Sequence, residues 1–204
     1  MVKKGLLDNI SINGGILCLD FANTVHDRKN EPLRDYLTGF DDLLYWAKKL
    51  LIIDSNAFKV LEKTATEKRQ KAHSFFNESI MLRELLHRIF KAISEVKKVA
   101  SVDLNAFNRL LTSYFSFLQL KQRANGFNED WSLAPDNFYR ITAPIINSAY
   151  ELLLSDKLSK VKECPNCGWL FLDTTKNGKR RWCSMKNCGS NIKALEWYRR
   201  QKKN

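Results

Sequence analysis

Residues 164–193, CPNCGWLFLDTTKNGKRRWCSMKNCGSNIK, decide how the rest of the chain is read. Four of the five cysteines, Cys164, Cys167, Cys183 and Cys188, fall here as C-x2-C, fifteen residues, then C-x4-C. Thiolates at that spacing suit one tetrahedral zinc ion, and four of them leave no open position for catalytic water. One structural zinc is therefore expected. Pro165 and Gly168 shape a tight knuckle that turns the first two sulfurs toward one ion. Two disulfides are the competing reading, disfavoured because Asp8 and Asn9 interrupt the apolar run behind Lys3 and Lys4 before a secretory signal could form. His26, His73 and His87 all precede the cluster, which excludes a C2H2 finger and a histidine-dependent metallonuclease. The fifth cysteine, Cys18, lies between Leu17 and Leu19 and reads as a small buried apolar residue.

Trp169, Phe171 and Asp173 alternate with Leu170 and Leu172, the pattern of a short strand. Asn177-Gly178 is a two-residue hairpin signal and predicts a returning strand over Lys179–Trp182. The run from Ser190 to Lys203 has no Gly or Pro and predicts a helix capped at Ser190 or Asn191. Knuckle, hairpin and helix around one zinc make a treble-clef-like finger. Roughly 45 residues hold too small a core to fold alone, so the metal must contribute much of the stability.

Of the 204 residues, 34 are Lys or Arg and 22 Asp or Glu, a formal charge of +12. Residues 157–204 carry 13 of those cations against only Glu163, Asp173 and Glu196, whereas residues 1–156 are nearly balanced. This change in charge predicts two domains, 1–156 and 157–204. Lys176, Lys179, Arg180 and Arg181 fall on the expected hairpin, and Lys193, Arg199, Arg200, Lys202 and Lys203 on the expected helix. Such a field favours a polyanion, in a cell chiefly nucleic acid, whose phosphates and guanine edges arginine can hold. A solvated basic tail is the alternative. Trp169, Trp182, Trp197 and Tyr198 are candidate stacking platforms, although aromatic residues in so small a module are expected mainly as its core.

The quoted stretch resembles the CGNR-type zinc finger: Trp169, Phe171 and Asp173 match its Trp-x-Phe-x-Asp strand, and Arg180 to Met185 its Arg-Arg-Trp-Cys-Ser-Met segment. In the terminal Cys-Gly-Asn-Arg-x-Lys, Cys188, Gly189 and Lys193 match, while Ser190 and Asn191 replace the Asn and Arg. Residues 15–25, GILCLDFANTV, are similar to the opening of the ABATE domain, which precedes this finger in the family. The resemblance implies a bacterial, cytoplasmic transcription regulator whose ABATE domain senses a ligand and whose finger binds DNA.

The first 156 residues are expected to be mostly helical with a small antiparallel sheet, giving an α+β chain. Leu43, Leu44, Ala47, Leu50 and Leu51 recur at helical spacing behind the capping candidates Thr38 and Asp41. Leu82, Leu85, Leu86, Ile89, Ile93 and Val96 form a second stripe, with Glu84 and Arg88 as an i,i+4 pair. Further helices are predicted over 56–72, 104–114 and 137–154, the last beginning irregularly because of Pro135 and Pro144. Residues 115–133, with Asn125-Gly126, predict a hairpin pairing with a strand near Gly15–Leu19.

No apolar run approaches the ~20 residues of a membrane helix, and the chain contains no Walker loop, Gly-x-Gly-x-x-Gly, His-Glu-x-x-His or Gly-x-Ser-x-Gly. Catalysis is therefore disfavoured, and a non-enzymatic role is the expectation. Asp20, Asn23 and Thr24, with Arg28 or Arg83 as partners for an anion, are the candidate small-ligand residues; capping of a helix start is their structural alternative. A DNA-binding regulator is the first functional class, with a homodimer on paired half-sites as one form it can take. An RNA-binding module and an enzyme of unrecognised type with the finger as scaffold are the others.

Overall fold

The computed structural model describes residues 7–30 and 34–202; Lys3, Lys4 and Lys203 lie outside them. Helices α1 (Leu17–Ala22), α2 (Phe40–Lys49), α3 (Ser55–Glu67), α4 (Arg69–Ser94) and α5 (Ser101–Phe115) are followed by strands β1 (Leu118–Arg123) and β2 (Gly126–Trp131). Helix α6 (Tyr139–Leu154), a 3-10 turn (Asp156–Lys160), strands β3 (Val161–Glu163) and β4 (Leu170–Leu172), a π-turn (Met185–Gly189) and helix α7 (Ser190–Gln201) complete the chain. None of the described helices is long and apolar enough to cross a membrane.

Each long helix owes its position to one apolar stripe. Helix α2 buries Phe40, Leu43, Leu44, Trp46 and Ala47, and Lys48 and Lys49 in its last turn complement the helix dipole. At its start the Asp42 carboxylate accepts from the Thr38 N–H (2.8 Å) and hydroxyl (2.6 Å), so Thr38 acts as donor and the capping group is Asp42 rather than Asp41. Asp54 caps α3 through the N–H groups of Asn56 and Ala57. The helix expected over 56–72 is divided at Lys68, whose backbone leaves helical geometry between α3 and α4. Both stripes overran their helices by two residues. Leu51 and Val96 lie just past the C-termini of α2 and α4 with left-handed φ (57° and 56°), and both are exposed.

Helix α4 runs the length of the core, where it meets α1, α2, α5 and β3. Phe40, Phe75 and Phe138 join α2, α4 and the start of α6, with ring centroids 4.6–6.2 Å apart. Strands β1 and β2 form the expected hairpin, in register Leu118↔Trp131 to Arg123↔Gly126, but the expected third strand is absent. Residues 17–22 form the buried helix α1 instead. Their apolar run is nearly continuous rather than alternating, a pattern that fits a short buried helix as well as a strand.

The second sheet also departs from expectation. Strand β4 pairs with β3, which precedes the knuckle, in register Val161↔Leu172 to Glu163↔Leu170. Residues 179–182 form no strand, although Gly178 does make a turn with φ 60°. Asp173 is the physical reason. Its buried carboxylate accepts from Lys162 Nζ (2.6 Å), the Arg180 N–H (3.0 Å), and the N–H (3.0 Å) and hydroxyl (2.6 Å) of Thr175. A side chain thus closes the 173–180 loop where a ladder was expected.

Leu170, Phe171 and Cys164 are fully buried in the same hydrophobic cluster as Phe21, Leu86 and Phe90. The cysteine segment and the helices ahead of it therefore share one core.

Candidate metal centre and nucleic-acid interface

The β3–β4 hairpin carries Cys164 and Cys167 at its tip. The Cys164 N–H donates to the Trp169 carbonyl (2.8 Å) and the Gly168 N–H to the Cys164 carbonyl (2.9 Å), closing the knuckle. Gly168 has φ 73°, and a Cβ there would lie 3.0 Å from Cβ of Arg28, so a side chain is excluded by both backbone and space. Cys183 precedes the π-turn and Cys188 lies within it. Ser184 caps that turn by accepting from the Asn187 N–H (3.2 Å), so the cap sits before Ser190 and Asn191, the two positions expected to provide it. Gly189 lets the turn close against Met185 and the Trp182 ring.

All four sulfurs are buried and lie within 4.8 Å of one another. The Cys167–Cys183 and Cys183–Cys188 sulfurs are 3.5 and 3.6 Å apart. A disulfide needs ~2.05 Å. The edge of a tetrahedron with ~2.3 Å zinc–sulfur bonds is about 3.8 Å. The residues thus fit one zinc ion, held by Cys164, Cys167, Cys183 and Cys188. With all four positions filled by protein sulfur, the ion's role is structural.

The basic residues divide into two groups. Arg180 is half-buried: its Nε donates to the Trp182 carbonyl (3.0 Å), its Nη2 to the carbonyls of Cys183 and Asn13, and its guanidinium lies 4.5 Å over the Phe171 ring. Lys162 is likewise turned inward, to Asp173 and to the Gly178 and Arg180 carbonyls. Lys176, Lys179, Arg181, Lys193, Arg199 and Arg200 are all exposed. Arg181 lies 5.1 Å over the Trp182 ring and Lys202 4.9 Å over Tyr198. Among the aromatic residues, Trp169 is core, with its Nε1 donating to the Val25 carbonyl (2.6 Å), and Trp182 is half-buried. Trp197 and Tyr198 depart from the core expectation: they are 63% and 53% exposed on α7.

The opposite side of the finger is bonded to the helices. The Asn23 amide donates to the Leu170 carbonyl (2.7 Å) and accepts from the Leu170 N–H (2.9 Å). The Arg28 N–H donates to the Cys167 carbonyl (2.9 Å), the Leu172 N–H to the Gly14 carbonyl (2.8 Å), and His87 Nε2 lies 3.3 Å from the Gly168 carbonyl. Burial, with the Arg28 charge beside it, pushes His87 down to about 4. Burial alone opposes ionisation of Asp173, yet Lys162, Thr175 and the Arg180 N–H hold it well below the usual carboxylate range.

Asp20, Asn23, Thr24, Arg28 and Arg83 all line or adjoin this seam, and each has partners within it. Asp20 accepts from the Gly14 N–H (2.7 Å), and burial pushes it up to about 6. Thr24 donates to the Phe21 carbonyl (2.8 Å). Arg28 donates to the Ala22 carbonyl (2.7 Å) and both Glu84 oxygens (2.7 and 3.2 Å). Arg83, almost wholly buried, makes a bidentate pair with Asp35 (2.7 Å each) and a further bond to Glu84 (2.8 Å). Burial disfavours its charge, but these carboxylates raise its pKa above the ordinary value. The i,i+4 pair expected between Glu84 and Arg88 does not form, because Arg88 turns to Asp103 on α5 (2.8 Å). Asp35, Glu84 and His87 complete the seam, and helical spacing offers no signal for partners so distant in sequence. Cys18 is fully buried, its thiol pushed up to about 12 by that burial, which leaves it inert.

The CGNR zinc finger family matches residues 160–201, the segment holding all four zinc ligands. The ABATE family, described as "putative stress-induced transcription regulator", matches residues 15–156. No curated protein matches the chain. The ABATE match spans most of the chain and the CGNR match spans the metal centre, and the chain accordingly belongs to the ABATE family, with a CGNR zinc finger following its ABATE region.

Proposed function

We propose that the zinc finger binds duplex DNA and that the ABATE region, residues 1–156, reports a small ligand to it. The observation that carries this reading is the sidedness of the finger. Its inner side is bonded to α1 and α4, while Lys176, Lys179, Arg181, Lys193, Arg199 and Arg200 are exposed on residues outside that seam. A surface so charged meets phosphate first and releases counterions as it does so. Arg180, bonded to the carbonyls around Cys183, shapes the finger rather than contacting DNA. A saturated zinc site supports a binding role over a catalytic one.

RNA is the second reading, favoured by exposed Trp197 and Tyr198, which are available to stack on unpaired bases. Fluorescence anisotropy of the zinc-loaded full chain on mixed-sequence duplex DNA and on folded RNA, over a salt series, separates the two. Duplex binding that falls steeply with salt, and at least tenfold in Lys179→Ala/Arg181→Ala, is the expected result. Preference for RNA that is lost in Trp197→Ala would replace it, and no binding to either polymer at low salt would overturn both readings.

A further inference from the structure

A cavity of about 890 Å³ lies between α4, α5 and α6, within the ~300–1,000 Å³ range of small-molecule sites. Leu82 and Leu85 of α4 and Ala106 and Leu110 of α5 provide much of its wall. Tyr114 and Thr142, buried and bonded hydroxyl to hydroxyl (2.8 Å), lie at its inner side. The cavity is separate from the Asp20–Arg28 group, whose polar atoms are bonded within the seam.

The charges around the cavity define its ligand. Glu78 accepts from the Tyr139 hydroxyl (3.1 Å), Glu84 is held by Arg28 and Arg83, and Arg88 is paired with Asp103. Arg109, exposed on α5, lines the same cavity and has neither an ion pair nor a hydrogen bond among the described residues. Two lining charges have no ion pair, Glu78 and Arg109; the Glu78 carboxylate is engaged by the Tyr139 hydroxyl, which leaves Arg109 as the charge open to a ligand with an apolar body and one anionic group. We propose that this cavity binds a small amphiphilic anion of the carboxylate class, its body between α4 and α5 and its charge on Arg109.

Helix α4 links this cavity to the finger. Leu82, Leu85 and Arg88 line the cavity, while His87 on the same helix reaches the Gly168 carbonyl. Glu84 belongs to both regions: it borders the cavity and holds Arg28, whose N–H bonds the Cys167 carbonyl. A ligand that shifts α4 therefore acts on the knuckle through two bonded contacts. The regulatory meaning rests on the sensing function proposed above; the binding itself does not.

The test uses zinc-loaded full chain, 1-anilinonaphthalene-8-sulfonate as fluorescent probe, and decanoate or 1-decanol as competitor. Saturable probe binding displaced by decanoate is expected, with at least tenfold weaker binding in Ala106→Trp, which fills the cavity. In Arg109→Gln, decanoate should weaken about tenfold while 1-decanol is unchanged; Arg109 is exposed, so this variant keeps the test valid if Ala106→Trp fails to fold. Three outcomes overturn the proposal: no saturable probe binding, binding indifferent to both substitutions, or a dimer in sedimentation that Ala106→Trp converts to monomer. Decanoate binding without DNA binding would uphold the cavity and sink the finger's role; DNA binding without decanoate binding would do the reverse.

Discussion

The side-chain amide of Asn23 acts as a neighbouring strand would, exchanging both hydrogen bonds with the buried backbone of Leu170. Asn23→Ala leaves that N–H and C=O unpaired in the core, where each such group costs about 1–3 kcal/mol. A loss of about 2–5 kcal/mol in denaturant unfolding of the zinc-loaded chain is expected, and a loss under 1 kcal/mol would show the seam to be hydrated. Arg180 and Arg181, adjacent in sequence, should separate in their effects. Arg180→Ala is expected to speed zinc loss to a chelator, whereas Arg181→Ala should weaken the proposed DNA binding and leave zinc retention intact. Equal effects of both on DNA affinity at saturating zinc would refute the division. The cysteines were legible in the sequence because metal ligation imposes spacing along the chain. Asp35, Glu84 and His87 were not, because their partners Arg83, Arg28 and Gly168 are 48, 56 and 81 residues away.

Among the elements, the long helices were legible from their apolar stripes, and the misreadings cluster where one side chain overrides a local pattern. Asp173 satisfies the loop that Asn177-Gly178 was expected to close as a hairpin, which frees β4 to pair with β3. Ser184 starts the turn ahead of α7, earlier than the Gly- and Pro-free run indicated. Ser184→Ala removes the partner of the Asn187 N–H and should cost about 1 kcal/mol, read as a lower midpoint of thermal unfolding at fixed zinc. An unchanged midpoint would mean that coordination at Cys183 and Cys188 alone holds the turn. The α1 segment could not have been assigned from its periodicity, since a short, continuously apolar run is compatible with either structure once buried.

For the whole molecule, two buried titrating groups act in opposite directions. His87 is held neutral, at about 4 against an ordinary 6.5, with Arg28, Glu84 and Lys91 around it. Its contribution is complete above the unfolded value and is lost as pH falls toward 4, because only the unfolded chain takes up the proton. Asp20 is raised to about 6, so below that pH the folded chain binds a proton more readily, and stability rises as pH falls toward 3.8. Each slope is about 1.4 kcal/mol per pH unit, and between pH 5 and 6 they nearly cancel. Unfolding of the zinc-loaded chain also takes up protons on the four released thiolates, so stability rises steeply with pH in every variant, and the two buried groups are read as differences from that common slope. Relative to the natural chain, Asp20→Asn should steepen the fall in stability on acidification and His87→Gln should make it shallower; parallel profiles for all three proteins would contradict the assignment.

Because the knuckle and helices α1 and α4 are bonded into one core, zinc is a ligand of the entire folded unit. By mass action, each tenfold rise in free zinc above its dissociation constant adds about 1.4 kcal/mol to the stability of that unit. The abundance of the folded chain is then coupled to zinc supply, and scarcity would lower the amount of the ABATE region together with the finger.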